Sequence, residues 1–338
     1  MISMSQEVLA DILAVPSIDL NASAGSSVAV DCVIATVGRT FVAELTSTTS
    51  AGVIAAHAER ALQATQRFNP QAIPLVVVPF MHDSGRQACR RLGVSWFDLS
   101  GNARIIAPGL RVIIDGRPNR FRARGRPASL FAPKSSRVAR WLLMHPTQAF
   151  TQRQVAHATD LSEGLVSRIV SRLEEQHYVV RDEDGTLRVK DPRLLLEAWQ
   201  DEYRFSKHTI VQGHVAARSG DALTRIVSDA LRAAQFEHAA TGLAAAWQLT
   251  HFAMFRITTF YLATEPRDAL KDEIGFRDDP RGANLWLVVP SDAGVFHGAE
   301  DRDGVRCVHP VQAYLDLAEH PERAAEAAEH LRAEFLDW

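Results

Sequence analysis

The sequence predicts a multidomain, mixed α/β protein, and three observations lead there. The chain has 338 residues, whereas single hydrophobic cores stop growing at about 250–300 residues. Strand-like runs of Val, Ile and Leu alternate with helical periods in its first third and again in its last. Between them lie short helical segments closed by Asp184-Gly185, a strong hairpin-turn pair.

The first segment, residues 1–116, reads as strands Ser27–Val37 and Thr40–Leu45 around a turn at Gly38. An Ala-rich helix follows over Gly52–Gln66, with Ile54, His57, Ala58 and Leu62 on one face. The continuous apolar run Ile73–Phe80 suits a strand covered on both faces. Asp83 caps a helix to Leu92, and Gly93 closes it. Val94–Leu99 and Ala103–Ile114 complete an α/β domain as two further strands. Residues 117–134 lack periodicity and read as a basic linker. Residues 192–338 open helically at Arg193–Phe205. They continue with a Gly242–His251 helix, strands near Thr258–Ala263 and Leu285–Pro290, and a helical stretch from Pro310, which together make a C-terminal α/β domain.

Residues 135–191 carry the most specific order. A helix from Ser135 or Ser136 runs to about Met144, before Pro146. A short helix over Thr151–Ala158 and a turn at Asp160-Leu161-Ser162 lead to a third helix, capped by Ser162 and ending near His177. Two strands, Val179–Arg181 and Thr186–Val189, then flank the Asp184-Gly185 turn. Helix, helix, turn, helix and hairpin is the order of a winged helix-turn-helix. In the third helix Leu165, Ile169 and Leu173, with Val166 and Val170, form the inward stripe. Ser167, Ser171, Arg168 and Arg172 fall outside it or on its border, where short polar and basic side chains can reach base edges or phosphates. The hairpin adds Arg181 and Arg188, but also the acids Asp182, Glu183 and Asp184, which repel phosphates.

Formal net charge is −3, so the distribution matters more than the total. From Gly116 to Thr159 there is no Asp or Glu, while Arg117, Arg120, Arg122, Arg124 and Arg126 crowd its start. Such a segment beside a helix-turn-helix can add phosphate contacts. The candidate DNA contacts are therefore Arg120, Arg122, Arg124, Arg126, Ser162, Ser167, Arg168, Arg172 and Arg188, with double-stranded DNA as partner and a homodimer spanning a two-part site. Cys32, Cys89 and Cys307 have no CxxC spacing, which suits a reducing compartment and no metal. Met1–Leu20 has no basic leader, and no apolar run is long enough to span a bilayer. A soluble, cytoplasmic protein without membrane contact is the expectation. Thirteen histidines form no HExxH cluster, and neither a P-loop nor a G-x-S-x-G elbow occurs. No cofactor, no metal and no enzyme activity is expected.

Two resemblances bear on this reading. Phe41-Val42-Ala43-Glu44-Leu45-Thr46, preceded by Asp31, resembles the PD-(D/E)xK core of the restriction-endonuclease-like fold. That resemblance implies Asp31 and Glu44 as carboxylates for a divalent metal, with a lysine two residues after the acid. Thr46 stands at the lysine's place, and no lysine precedes Lys134. The expected role is a vestigial nuclease site on a domain kept as scaffold or dimerisation surface. A metal-dependent endonuclease using Asp31 and Glu44 is the alternative.

The second resemblance rests on Trp96-Phe97-Asp98-Leu99-Ser100-Gly101-Asn102-Ala103, Ser135–Val189, Val311-Gln312-Ala313-Tyr314-Leu315-Asp316-Leu317 and the run Ala324–Leu331. Together these resemble the AbiEi-type antitoxin and transcriptional-regulator family, of which only some relatives carry a nuclease-like N-terminal domain. The resemblance implies a winged helix binding the operon's own promoter and a nucleotidyltransferase-like toxin as protein partner. Ser167, Arg168 and Arg172 would then read DNA, with the linker arginines on phosphates. A protein-only antitoxin or adaptor is the remaining alternative. On the residues alone, Val311–Leu317 is a helix turn packing Val311, Tyr314 and Leu315 inward, and Asp98–Asn102 is a strand end with a tight turn.

Overall fold

The computed structural model describes residues 2–13, 19–21, 32–36, 38–121 and 129–338. It is a mixed α/β protein with several sheets, as expected. The chain divides into two compact units, one of residues 1–127 with 173–180 and the other of 128–172 with 181–338.

In the first unit, helix α1 (Ile2–Leu13) precedes strands β1 (Asp19–Asn21), β2 (Cys32–Thr36) and β3 (Arg39–Leu45). Helix α2 (Ala51–Phe68), β4 (Ile73–Val78), α3 (Asp83–Leu92), β5 (Ser95–Asp98), β6 (Ala103–Ala107) and β7 (Leu110–Ile114) follow. The seven strands lie in chain order in one sheet. Only β3–β4 and β4–β5 are parallel, and these are the pairs whose connections, α2 and α3, are long enough for a crossover. One sheet face buries Phe41, Leu75, Val77, Phe97 and Ile105 with Leu9 of α1. The other buries Val76, Val78 and Trp96 with Ile54 and Ala58 of α2 and Cys89 of α3. Coverage on both faces explains the unbroken apolar run of β4.

The single strand expected over Ala103–Ile114 is instead the β6–β7 hairpin, turning at Pro108-Gly109 with Gly109 at φ +73°. Gly93 closes α3 in the left-handed conformation as expected, although His82, not Asp83, is the residue that precedes the helix. Residues 173–180 pack on α2 so closely that a Cβ on Gly52 would lie 2.0 Å from the Gln176 carbonyl oxygen.

The second unit opens with α4 (Pro133–Met144) and α5 (Gln152–Thr159). Helix α6 (Glu163–Glu175) and β8 (Val179–Arg181) run across the division of the chain, and β9 (Leu187–Val189) pairs with β8. Helix α7 (Pro192–Glu202), capped by Asp191, leads into the C-terminal fold. There follow β10 (Thr209–Gly213), α8 (Gly220–Ala233), β11 (His238–Thr241), α9 (Gly242–Thr250), β12 (Thr258–Leu262), α10 (Asp268–Glu273) and β13 (Leu285–Val289). The hairpin β14 (Glu300–Arg302) and β15 (Val305–Cys307) precedes α11 (Pro310–Leu317) and α12 (Ala324–Phe335). The six strands take the order β10-β13-β12-β11-β15-β14. Helix α9 packs against both α11 and α12. The sequence reading located α9, β12 and β13 within a residue or two, and missed β10, α8, β11, α10 and the β14–β15 hairpin.

At Gly213 the sheet leaves no room for a side chain, since a Cβ would meet the Phe276 ring at 2.3 Å and the Arg277 carbonyl oxygen at 2.5 Å. Gly213→Ala is therefore expected to destabilise the protein by about 2 kcal/mol through overpacking. Denaturant unfolding checks this, and a variant as stable as the parent would contradict the packing described.

Candidate functional site

The second unit sets α4, α5 and the first three turns of α6 in the order read from the sequence. Thr151 caps α5 through a capping box, its side chain accepting from Gln154 N–H while Gln154 Oε1 accepts from Thr151 N–H at 2.7 Å. Asp160 ends α5 in the left-handed conformation, φ +52°, which a short polar side chain tolerates. Ser162 then starts α6, its Oγ accepting weakly from Leu165 N–H at 3.4 Å. Phe150 exchanges two backbone hydrogen bonds of 2.8 Å with Leu187. This bridge ties the chain entering α5 to the hairpin, a tie the sequence reading did not foresee.

Along α6, Val166, Ile169, Val170 and Leu173 are buried, while Leu165 is only half-buried. The outward face carries Ser162, Glu163, Arg168 and Ser171, with Ser167 and Arg172 half-buried at its borders. Arg168 Nε makes one long bond, 3.3 Å, to the Gly164 carbonyl. Beside this face an open groove of about 900 Å³ is lined by Thr151, Arg153, Gln154, His157, Ser162 and Glu163. Arg153 and His157 were not among the expected contacts, although their i, i+4 spacing on an amphipathic helix was there to be read. The hairpin arginine Arg188 is engaged by Asp182, with three contacts of 2.8–3.0 Å.

Of the basic segment, Arg122, Arg124 and Arg126 lie outside the described residues, and Arg120 is exposed. Its departure from the sheet is fixed by the Asp98–Asn102 string. Asp98, fully buried, accepts from Met81 N–H, Asn102 N–H and Asn102 Nδ2 at 2.9–3.1 Å. Asn102 in turn accepts from Arg117 N–H at 2.8 Å and donates to the Arg117 carbonyl at 3.0 Å. Gly101 makes the turn at φ +95°. Ser100 Oγ accepts from Arg120 N–H at 3.2 Å.

At the nuclease-like residues, Asp31 lies outside the described residues. Glu44 is 2% exposed and already neutralised: Arg60 donates to it at 2.6 and 3.0 Å, and His57 Nδ1 lies 3.1 Å away. Burial raises the Glu44 carboxyl, but hydrogen bonds from His57 and Arg60 outweigh it and hold the group below its usual value. Thr46 is buried, and its Oγ1 accepts from Thr48 N–H at 3.3 Å. Among the described residues no group of three His, Cys, Asp or Glu side chains is placed to hold a metal. Arg60 and His57 both engage Oε2, so a metal at this oxygen would compete with the Arg60 guanidinium. Plasmid DNA is expected to remain uncut by the purified protein in Mg²⁺ or Mn²⁺; cleavage that disappears in Glu44→Ala would overturn this.

A second concentration of polar groups, which the sequence reading did not assemble, lies inside the C-terminal fold. Asp316 of α11 is fully buried and accepts from four groups: Tyr203 Oη, Tyr261 Oη at 3.0 Å, Gln312 Nε2 at 2.8 Å and Thr241 Oγ1. Burial pushes its carboxyl up to about 6 against the pull of those four hydrogen bonds. Burial, followed by the nearby Asp316 charge, raises Tyr203 and Tyr261 well above the usual phenol value, so both serve as neutral donors. His208 and His309 are lowered to about 4, by burial and then by the charge of Arg140. Cys89 and Cys307 are buried thiols raised to about 12 by burial, which makes both unreactive.

These shifts set opposing pH dependences. The two histidines give stability that is complete above their usual 6.5 and lost as the pH falls towards 4. Asp316 gives stability present below its usual 3.8 and lost as the pH rises towards 6. Two histidines outweigh one aspartate, so acidification from about pH 7 to 5 should cost roughly 2 kcal/mol. Denaturant titrations at the two values decide this, and equal or greater stability at the lower pH would refute it.

The described residues thus hold a basic segment that leaves its sheet at a fixed point, helices α4 to α6 with a bridged hairpin, and a C-terminal α/β fold around a buried aspartate. The comparison with protein families is more specific, since residues 188–337 match the family described as transcriptional regulator, AbiEi antitoxin, type IV toxin–antitoxin system. This is the family that the Val311–Leu317 and Ala324–Leu331 strings resemble, and the match supports a regulator or antitoxin role. No curated protein and no solved structure matches the chain. Among the described residues no helix is long and apolar enough to cross a membrane.

Proposed function

We propose that this chain is a DNA-binding transcriptional regulator and the antitoxin of a type IV toxin–antitoxin pair, acting in the cytoplasm. Residues 135–191 form its winged helix-turn-helix and 192–338 its antitoxin-like domain. Residues 117–134 act as a basic linker, and 1–116 as a restriction-endonuclease-like domain without nuclease activity. The protein binds duplex DNA as a homodimer across a two-part site at its own promoter, and it counters a nucleotidyltransferase-like toxin. Arg168 and Arg172 read bases from α6, assisted by Ser162 and Ser167. Arg120, Arg122, Arg124 and Arg126 contact phosphates.

The observation that carries this reading is the outward face of α6. It presents Arg168 and Ser171 beside a groove lined by Arg153, Gln154 and His157, while the apolar side of the same helix is fully committed to packing. A helix entering the major groove needs that division of labour. Arg188 contributes less, because Asp182 holds it.

A second reading has its own support. The family match begins at residue 188, beyond α6, so a protein-only antitoxin whose C-terminal fold holds a partner also fits. Gel shifts on the DNA upstream of the gene separate the two. Arg168→Ala/Arg172→Ala should weaken binding by at least about tenfold, since a bidentate base contact is worth about 1–3 kcal/mol. Binding by the parent should also fall steeply with added salt. A double variant that binds as tightly as the parent would remove α6 as the reading helix. A stable protein companion without any shift would establish the second reading.

A further inference from the structure

Helix α4 sends two arginines, one turn apart, into the C-terminal fold. Arg137 is the outer one. Its Nε and Nη2 meet the two carboxylate oxygens of Asp292 at 2.7 and 2.9 Å, and its Nη1 reaches the Thr159 carbonyl at 3.4 Å. It therefore joins α4, the end of α5 and the C-terminal fold at one point. Arg140 is the inner one and is 3% exposed. Its guanidinium lies 5.1 Å over the Trp199 ring of α7, and its Nη2 donates to Gln312 Oε1 at 2.5 Å. Its Nε and Nη1 have no hydrogen-bond partner.

A buried guanidinium needs a counter-charge. Two carboxylates act on it, Asp292 and Asp316; Asp292 is already held by Arg137 through both oxygens, and Gln312 stands between Arg140 and Asp316. The amide accepts from Arg140 through its oxygen and donates to Asp316 through its nitrogen. Gln312 and Asp316 are i and i+4 on α11, so one helix face supplies both the relay and the charge. The fit around the arginines is tight: a Cβ on Gly294 would lie 2.7 Å from Arg137 Cγ and 3.0 Å from Arg140 Nη1. Just before α4, Phe131 stacks on Trp199 with centroids 5.8 Å apart, and Ser129 Oγ donates to Glu202 at 2.5 Å.

We infer that Arg140 is a positioning residue, received by Gln312 and Asp316, which locks α4 and the helices that follow it onto the C-terminal fold so that the two act as one body in sequence-selective binding. The polar half of the Val311–Leu317 string is thereby explained as the socket for a side chain 172 residues away. The inference rests on the DNA-reading role of α6 for its binding consequence, and on the coordinates alone for the docking.

The test combines a double-mutant cycle in thermal unfolding with fluorescence anisotropy on two duplexes, the sequence upstream of the gene and a scramble of equal length. The full chain is used as parent, Arg140→Met, Asp316→Asn and the pair together. Asp316→Asn takes a charge away from the guanidinium and sets an amide NH2 among the four donors that Asp316 accepts from, and should lower the melting midpoint by about 10 °C. Removing the arginine as well should restore much of that loss. Arg140→Met alone should reduce the preference for the upstream duplex by about tenfold, with affinity for the scramble unchanged, because phosphate contacts survive a loss of pose. A misfolded Asp316→Asn rescued by the double change supports the pairing equally. Additive midpoints, or two Asp316 variants that misfold alike, overturn it. Unchanged preference in a folded Arg140→Met overturns the positioning role. A parent that shifts neither duplex removes the DNA reading, while the unfolding cycle still decides the docking.

Discussion

A guanidinium withdrawn from water needs both counter-charge and hydrogen-bond acceptors, and the acceptor Arg140 finds is another helix's glutamine. That requirement organises the second unit. Its charge is answered by Asp292, which Arg137 shares, and by Asp316, whose own oxygens are filled by Tyr203, Tyr261, Thr241 and Gln312. The same positive charge helps to keep His208 and His309 neutral. Such a network stores little net stability, because desolvation offsets much of the attraction. What it supplies is uniqueness: α4 has one place to go, and Arg137 with Asp292 fixes its rotation there. Helices α5 and α6 inherit that placement through the capped turns at Thr151 and Ser162.

Where local signals agree with tertiary demand, the sequence is readable. The unbroken apolar run of β4, Gly93 at the end of α3 and the Ser162 start of α6 each carry their own physical reason, and each element lies where that reason puts it. Failures have equally local causes. Ala103–Ile114 is rich in Ile and Val on both sides of Pro108-Gly109 and so reads as one long strand, but that pair is a turn signal and the left-handed Gly109 folds the chain back. Strand β14 is Glu300-Asp301-Arg302, all exposed, so an edge strand of this kind carries no hydrophobic signal. The stripe Leu223, Val227 and Leu231 of α8 is regular, yet an exposed Ile226 blurs the face. For the sites, the limit is different. Gln312 and Asp316 were read for the apolar residues around them, because nothing local says that a distant arginine needs both.

Glu44 illustrates the converse, a residue identified correctly by type and given a different use by its surroundings. On β3 it occupies the strand position a metal-binding carboxylate would take, yet α2 presents His57 and Arg60, i and i+3, directly against it. Both partners engage Oε2 of the carboxylate, so a divalent ion there would have to displace the Arg60 guanidinium. The same substitution of roles recurs at Asp98, whose buried oxygens are spent on holding a turn. Polar residues that would suggest chemistry in isolation are thus consumed by architecture across this sheet, and its output is a fixed exit for the basic segment at Arg117.

That exit bears on where positive charge can act. The hairpin offers Arg181 and Arg188 against Asp182, Glu183 and Asp184, two positive charges against three negative, so it presents a net negative tip. The Asp182–Arg188 pair is an exposed one and is weak enough to be exchanged for a phosphate, but the hairpin's remaining acids would still oppose that phosphate. For the proposed duplex partner, attraction would then come from the stretch without acids, Gly116–Thr159, which includes the anchored segment at one end and Arg153 on α5 at the other. Helix α6, with Glu163 at its start, Arg168 and Arg172 further along and Glu174 and Glu175 at its end, stands beyond that stretch and is nearly balanced in charge. On the proposed reading, long-range pull and short-range discrimination thus fall to different parts of the chain. A nearly neutral helix placed at the bases would lose little when they are wrong and gain only when its hydrogen bonds are right, the division by which a weakly acidic protein could be selective.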